Sequence, residues 1–296
     1  MKCRITTDTN CFHKRFTMEE TIVMLAEAGF DGIVYSSMDA CYWNGEVSLE
    51  ERKTHYTELK KFAQDHGICF PQSHAPCPSS TKDPEETEKI FQNIVRSLEN
   101  ASFVGATELV VHPLNHLEHE IAGNKEKTFE LNMAFYNRLK PYCEEYGVRV
   151  GLENVTDYRN TMGGHRFFPT TCSCPEELFS YLEELNSDCF FGCLDIGHAI
   201  VVHQNPVDFI HKLGNKWLKA LHIHDSNGHM DSHTLPYLGM ADWDAICAAL
   251  KEIKYDGDFG FEAGNFLKPL PKELCPIGTK MLCETGKYLV NKIQEV

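Results

Sequence analysis

Short apolar runs alternate along this chain with longer stretches in which apolar residues recur every three or four positions. Runs rich in β-branched and aromatic side chains fall near 2–8, 31–36, 68–74, 107–112, 148–153, 190–195, 218–224 and 258–262. A run of that length between polar turns predicts a buried strand. Helical spacing occupies 17–28, 48–66, 84–104, 125–146, 175–186, 206–213, 242–254 and 273–294. Start and stop signals agree with these bounds. Thr17 with Glu20 and Ser48 with Glu51 have capping-box spacing. Pro84 and Pro175 suit a first helical turn, where a missing N–H costs nothing. Gly29, Gly67, Gly105 and Gly147 stand where a left-handed residue ends a helix.

Eight strand–helix units predict an α/β fold, a single (β/α)8 TIM barrel. A doubly wound open sheet alternates in the same way. Closure is favoured because polar residues end nearly every strand instead of gathering at one switch point. No Gly/Ser/Pro linker or shift in composition divides the chain, so residues 1–296 read as one domain. The long non-helical excursions, 37–47, 156–174, 225–241 and 263–272, all follow strands, on the side where barrels build their sites.

Composition narrows the partners. With 28 basic residues against 43 acidic ones the formal charge is −15, and no basic run exceeds Lys60-Lys61. Phosphate-backbone binding draws on clustered Lys and Arg, so nucleic acid is disfavoured. No run approaches the ~20 apolar residues that span a bilayer, and the N-terminus reads as a first strand rather than a signal peptide. Thirteen cysteines without a framework fit a reducing compartment, and a cytoplasmic location is expected.

The chemistry lies at the strand ends. Parallel strands turn all their C-terminal rims to one side, so residues far apart in sequence meet in one cup. Glu153 ends the fifth run and Glu262 the eighth, expected across the mouth from one another, with Asp195 and His222 between them. A Glu/Asp/His/Glu shell suits Mn2+, Mg2+, Co2+ or Zn2+. One ion is the simplest expectation. His74 and His112 would add a second, sharing Glu153, and His198 with Asp231 and His233 a third. Each strand-end group taken alone is as well explained by a capped loop or a hydrogen-bonded rim; it is the set that points to metal.

These residues resemble a known family. Ser73-His74-Ala75-Pro76, Val111-His112-Pro113, Leu152-Glu153-Asn154, Leu194-Asp195-Ile196-Gly197-His198, His222-Ile223-His224-Asp225, Asp231-Ser232-His233 and Phe261-Glu262 follow the order of the xylose-isomerase-like barrels. That superfamily includes sugar and sugar-phosphate isomerases and epimerases, and endonuclease IV. The resemblance implies core metal ligands at Glu153, Asp195, His222 and Glu262, with His222 preferred to His224 because the family ligand lies three residues before an acidic residue, here Asp225. In the isomerase and epimerase branch it implies Glu153 and Glu262 as acid and base, His198 on a substrate hydroxyl, and proton abstraction beside a carbonyl through a metal-stabilised enediolate.

The endonuclease IV branch holds three zinc ions with nine ligands, and all nine have counterparts here. A multi-zinc phosphodiesterase is therefore the alternative reading. A related lyase, and a barrel that binds sugar without turnover, also fit. The family's ketose 3-epimerases carry an arginine where this chain has Gly228, which departs from a free-ketohexose pattern. The expected partner is a small sugar or sugar phosphate, and a homo-oligomer is compatible. Trp43, Arg166, Phe167, Phe168 and Lys268 are candidates for substrate contact, and Gly163-Gly164 for a lid hinge. Cys172-Ser173-Cys174 looks like half a thiolate clip and reads as a loop.

Overall fold

The computed structural model describes residues 3–36, 40–115, 125–161 and 164–294. The first five strands are β1 (Ile5–Asp8), β2 (Gly32–Ser36), β3 (Cys69–His74), β4 (Glu108–Val111) and β5 (Arg149–Glu153). Then β6 (Thr156–Thr161) and β7 (Gly164–Pro169) pair with each other as an antiparallel hairpin outside the barrel. Strands β8 (Phe190–Asp195), β9 (Leu218–Ile223) and β10 (Phe259–Phe261) complete the set. The eight barrel strands are parallel and close in the order β1-β10-β9-β8-β5-β4-β3-β2. The expected barrel is the observed one.

Helices follow the strands: α1 (Met18–Ala28), α2 (Leu49–Asp65), α3 (Pro84–Val104), α4 (Lys125–Tyr146), α5 (Pro175–Leu185), α6 (Ile196–Val201), α7 (Pro206–Trp217), α8 (Trp243–Glu252) and α9 (Cys275–Gln294). Both capping boxes form, at Thr17–Glu20 and Ser48–Glu51. Three features depart from the sequence expectation. The 156–174 excursion contains the β6–β7 hairpin. The six-residue α6 begins directly after β8, because the Asp195 carboxylate accepts the backbone N–H of His198 at 2.6 Å and caps it. Helix α7 runs past 213 across a break at Gly214, whose φ is 56°.

Strand alternation sorts the side chains into two layers. On β8, Phe190 and Leu194 join the apolar layer between sheet and helices, while Phe191 and Cys193 face the bore with Val110 and Ala220. Asp195, next in the inward series, reaches the rim. The same alternation on β9 sends Leu221 and Ile223 outward and Ala220 inward, so His222 follows Ala220 to the mouth. Burying an aliphatic or aromatic side chain is worth about 1.5–3 kcal/mol, and this outer layer fixes which residues face in. One expectation is corrected: β5 and β10 are not opposite each other. Two strands, β8 and β9, separate them in the ring, so Glu153 and Glu262 flank His222 on one arc of the mouth.

Helix α4 clamps the rim at β4. Asn132, fully buried, accepts the Leu114 N–H at 2.8 Å and donates to the carbonyls of Leu114 and Thr128. Tyr136 donates its hydroxyl to Val111 O at 2.9 Å. The segment so held carries His112. Asn132→Ala leaves the buried Leu114 N–H unsatisfied, while Thr171 Oγ1 still donates to the Leu114 carbonyl at 3.1 Å, and is expected to cost about 1–3 kcal/mol. A urea midpoint equal to that of the parent would refute this.

Candidate metal centre

Three ligand candidates end their strands outright: His74 on β3, Glu153 on β5 and Asp195 on β8. His112 and Glu262 lie one residue beyond β4 and β10, and His222 is the penultimate residue of β9. Glu153, with 1% of its side chain exposed, is the centre of the group. Its Oε2 stands 3.4 Å from His74 Nε2 and 3.2 Å from His112 Nε2. Its Oε1 stands 3.3 Å from His198 Nδ1 and 3.4 Å from His222 Nδ1. Glu262 Oε1 is also 3.4 Å from His222 Nδ1. On the flank, Asp231 Oδ2 lies 3.1 Å from His233 Nε2 and 3.5 Å from His198 Nε2.

The rings are oriented by the main chain. His74 Nδ1 is 2.7 Å from Ala75 O, His198 Nδ1 3.0 Å from Asn154 O and His233 Nδ1 2.8 Å from Glu262 O. A carbonyl only accepts, so each Nδ1 must donate, and the lone pair of the neutral ring is left on Nε2, which faces Glu153 in His74 and Asp231 in His198 and His233.

Donor atoms gather within 4.8 Å of one another in several groups: His74–His112–Glu153, His74–His222–Glu262, Glu153–Asp195–His198 and His198–Asp231–His233. Several of these atoms are buried without a hydrogen-bond partner, notably His222 Nδ1, Glu153 Oε2 and Asp231 Oδ1. Buried polar atoms are rarely left so. Orphaned imidazole and carboxylate atoms that converge are what a divalent cation satisfies, so the residues present fit a metal.

Electrostatics runs the same way. Burial alone would raise the Glu153 carboxyl, but His222 and His112 outweigh it and hold it well below the ordinary carboxylate range. Asp231 is likewise held down against burial by His198 and His233. Burial disfavours charge on His198, yet Asp195 and Asp231 carry it well above its usual value. His222 is raised against burial by Cys193, Glu262 and Glu153. His233 is raised against burial to about 10, chiefly by Asp231. Without an ion, protons on these histidines balance carboxylates that stay ionised.

A sequence profile of the xylose isomerase-like TIM barrel family matches residues 22–274. The chain belongs to this family. Among curated members, it is 27% identical over 211 residues to MJ1311, an uncharacterized protein of Methanocaldococcus jannaschii, covering 69% of this chain and 68% of that one. It is 24% identical over 228 residues to a D-psicose 3-epimerase of Enterocloster bolteae, covering 72% and 69%. Of solved structures, an IolI protein with a bound zinc atom superimposes with a TM-score of 0.74 at 19% identity, over 98% of this chain and 97% of that one. A D-psicose 3-epimerase in the presence of D-fructose gives 0.74 at 15%, over 97% and 99%. At such identities the two structures establish the shared fold.

Within this xylose isomerase-like barrel, several residues that sequence reasoning passed over support the centre. His224, set aside as a ligand, is fully buried; its Nε2 lies 2.9 Å from Asp195 Oδ1 and its ring stacks on His233 at 4.0 Å. Gly197 gives it room, since a Cβ there would fall 1.9 Å from the His224 ring. Asp225, read only as a marker for His222, accepts the backbone N–H groups of Ser226, Tyr237 and Ala241 and the indole N–H of Trp243. It thereby folds the loop that carries Asp231 and His233. Asp8 ends β1 and is buried; burial and then Glu262 push it up to about 6. The strand-end rule applied to the first run would have found it. Cys193 lies beneath His222, among the bore residues.

The cup above is a cavity of about 410 Å3, with Asn10, Ser36, Trp43 and Cys77 on its walls beside the histidines and glutamates. Trp43 therefore stands where a substrate contact was expected. Arg166, Phe167 and Phe168 line a different cavity, and Lys268 lines neither. Gly163 lies outside the described residues, and Gly164 opens β7. Cys172 is fully buried and Cys174 half-buried, and neither joins a cluster of metal-ligating groups among the described residues.

Two outcomes follow from this geometry. Gly197→Ala must displace His224 and with it Asp195, at an expected cost of about 1–3 kcal/mol and with weaker metal retention; an unaltered melting temperature and metal content would count against it. Because the raised histidines hold protons at neutral pH, an ion must displace them. Binding should release protons and weaken as pH falls, read by calorimetry in buffers of different ionisation enthalpy; no net proton release would overturn this.

Proposed function

We propose that this chain is a divalent-metal-dependent isomerase or epimerase acting on a sugar or sugar phosphate. The observation that carries the reading is that Glu153 and Glu262 each stand 3.4 Å from the same buried imidazole nitrogen, His222 Nδ1, in the wall of a sugar-sized cup. The names of its structural relatives, sugar 3-epimerases and a zinc-bound IolI protein, support it.

Glu153, Asp195, His222 and Glu262 would hold the ion. Bound there, a divalent cation supplies Lewis-acid stabilisation to the oxygens of a substrate losing a proton beside its carbonyl. The protein's own groups do the rest. Glu262, at 11% exposure, is more open to the cup than Glu153. Both line the cavity, so a carbon held between them can lose a proton to one and regain it from the other. His198, with Nδ1 tied to Asn154 O, presents Nε2 to a substrate hydroxyl. Trp43 closes one wall against water.

The flanking groups His74–His112–Glu153 and His198–Asp231–His233 favour a second reading, a multi-zinc hydrolase. The formal charge of −15 weighs against a nucleic acid substrate. Metal content per chain in protein purified without chelator separates the two readings.

Glu262→Gln is expected to lower solvent-deuterium incorporation into a ketose by about 10²–10⁴-fold in samples loaded with manganese. Parent-like exchange in that variant, or exchange that survives exhaustive chelation, would end the proposal.

A further inference from the structure

A second cavity, of about 340 Å3, lies between the β6–β7 hairpin, the end of α6 and the turn after β9. Its apolar wall is Phe167, Phe168, Val201 and Val202. Among the described residues that line it, every ionisable side chain is basic: Arg166, His203 and His229. On a chain of charge −15 such segregation needs a reason. Arg166 lies over the Phe168 ring at 5.5 Å, and among the described residues no carboxylate pairs with it. Its guanidinium is thus braced by an aromatic face with its donors unspent.

Backbone conformation points the same way. His203 follows the end of α6 with φ 60°, the left-handed position that glycine or asparagine usually takes. Keeping an imidazole there sacrifices backbone comfort for a side chain on this cavity. Gly228, buried with φ 78°, lines the facing wall.

The two cavities have no lining residue in common, but the same two segments reach both. Helix α6 carries His198 on the metal cup, and His203, two residues past its end, on the second cavity. After β9, Asp231 lines the cup and His229, two residues earlier, the second cavity. We infer that this cavity is an anion subsite of the same active site, receiving the phosphate or carboxylate at the remote end of a sugar phosphate or sugar acid. Arg166 supplies a planar fork and the two histidines supply N–H donors. The inference rests on the isomerase or epimerase reading for its reaction, but its binding step is separately measurable.

The test compares D-fructose, D-fructose 6-phosphate and 5-keto-D-gluconate in the manganese-loaded full chain, by deuterium exchange and by calorimetric binding. A preference of about tenfold or more in kcat/KM for one anionic sugar over the neutral one is expected. The favoured arm tells phosphate from carboxylate. Arg166→Gln and His203→Asn should each shrink that preference several-fold, through KM rather than kcat. Equal kcat/KM for all three sugars, or a preference untouched by both variants, overturns the subsite. Should no sugar exchange, the reaction reading fails and binding alone decides: tighter binding of an anionic sugar that both variants weaken supports the subsite, and equal binding refutes it.

Discussion

A carboxylate shut away from water must be compensated, and in this barrel that carboxylate is Glu153. It is shared among His74, His112, His198 and His222, which come from β3, from just beyond β4, from α6 and from β9. A lone buried charge of this kind would cost several kcal/mol. Here the cost is spread over four imidazoles within 3.4 Å of its two oxygens. The mouth of the barrel is therefore organised from the inside outward. Asp195 orients His198 through its backbone N–H and is itself held by His224, while Asp231 and His233 answer one another at the edge. Removing the central anion would take the paired carboxylate from His74 and His112 and leave His198 and His222 to Asp231 and Glu262.

Most of the barrel was legible because its signals are local. Strand length, helical spacing and capping residues need no knowledge of distant neighbours, and the predicted runs correspond to the eight barrel strands. The placement of the candidate ligands followed from one further idea, that parallel strands share a rim. What escaped depends on relations that no local pattern encodes. The β6–β7 hairpin is mostly polar and lies outside the sheet, so it lacks the apolar alternation of a buried strand. Helix α6 has only six residues, too few for periodicity, and exists because a side chain already committed to the rim also caps it. The arc between Glu153 and Glu262 depends on how many strands separate β5 from β10 around the closed ring, which no single run displays.

His224 and Asp225 teach a related lesson. Both sit in a sequence of obvious chemical interest, yet neither offers itself to the cup. His224 braces Asp195 from behind, and Asp225 organises a loop of some sixteen residues through backbone donors as far away as Ala241. Whether a polar residue contacts ligand or stands behind one that does is a matter of a few ångströms of depth, and depth is set by packing.

His74, His198 and His233 all take their orientation from peptide oxygens. Side-chain braces can be lost by a single base change in the gene, whereas a peptide carbonyl is present whichever amino acid occupies the position. A lineage built on this scaffold is free to rewrite its hairpin and loops in search of new substrates while the aim of these three rings is inherited unaltered.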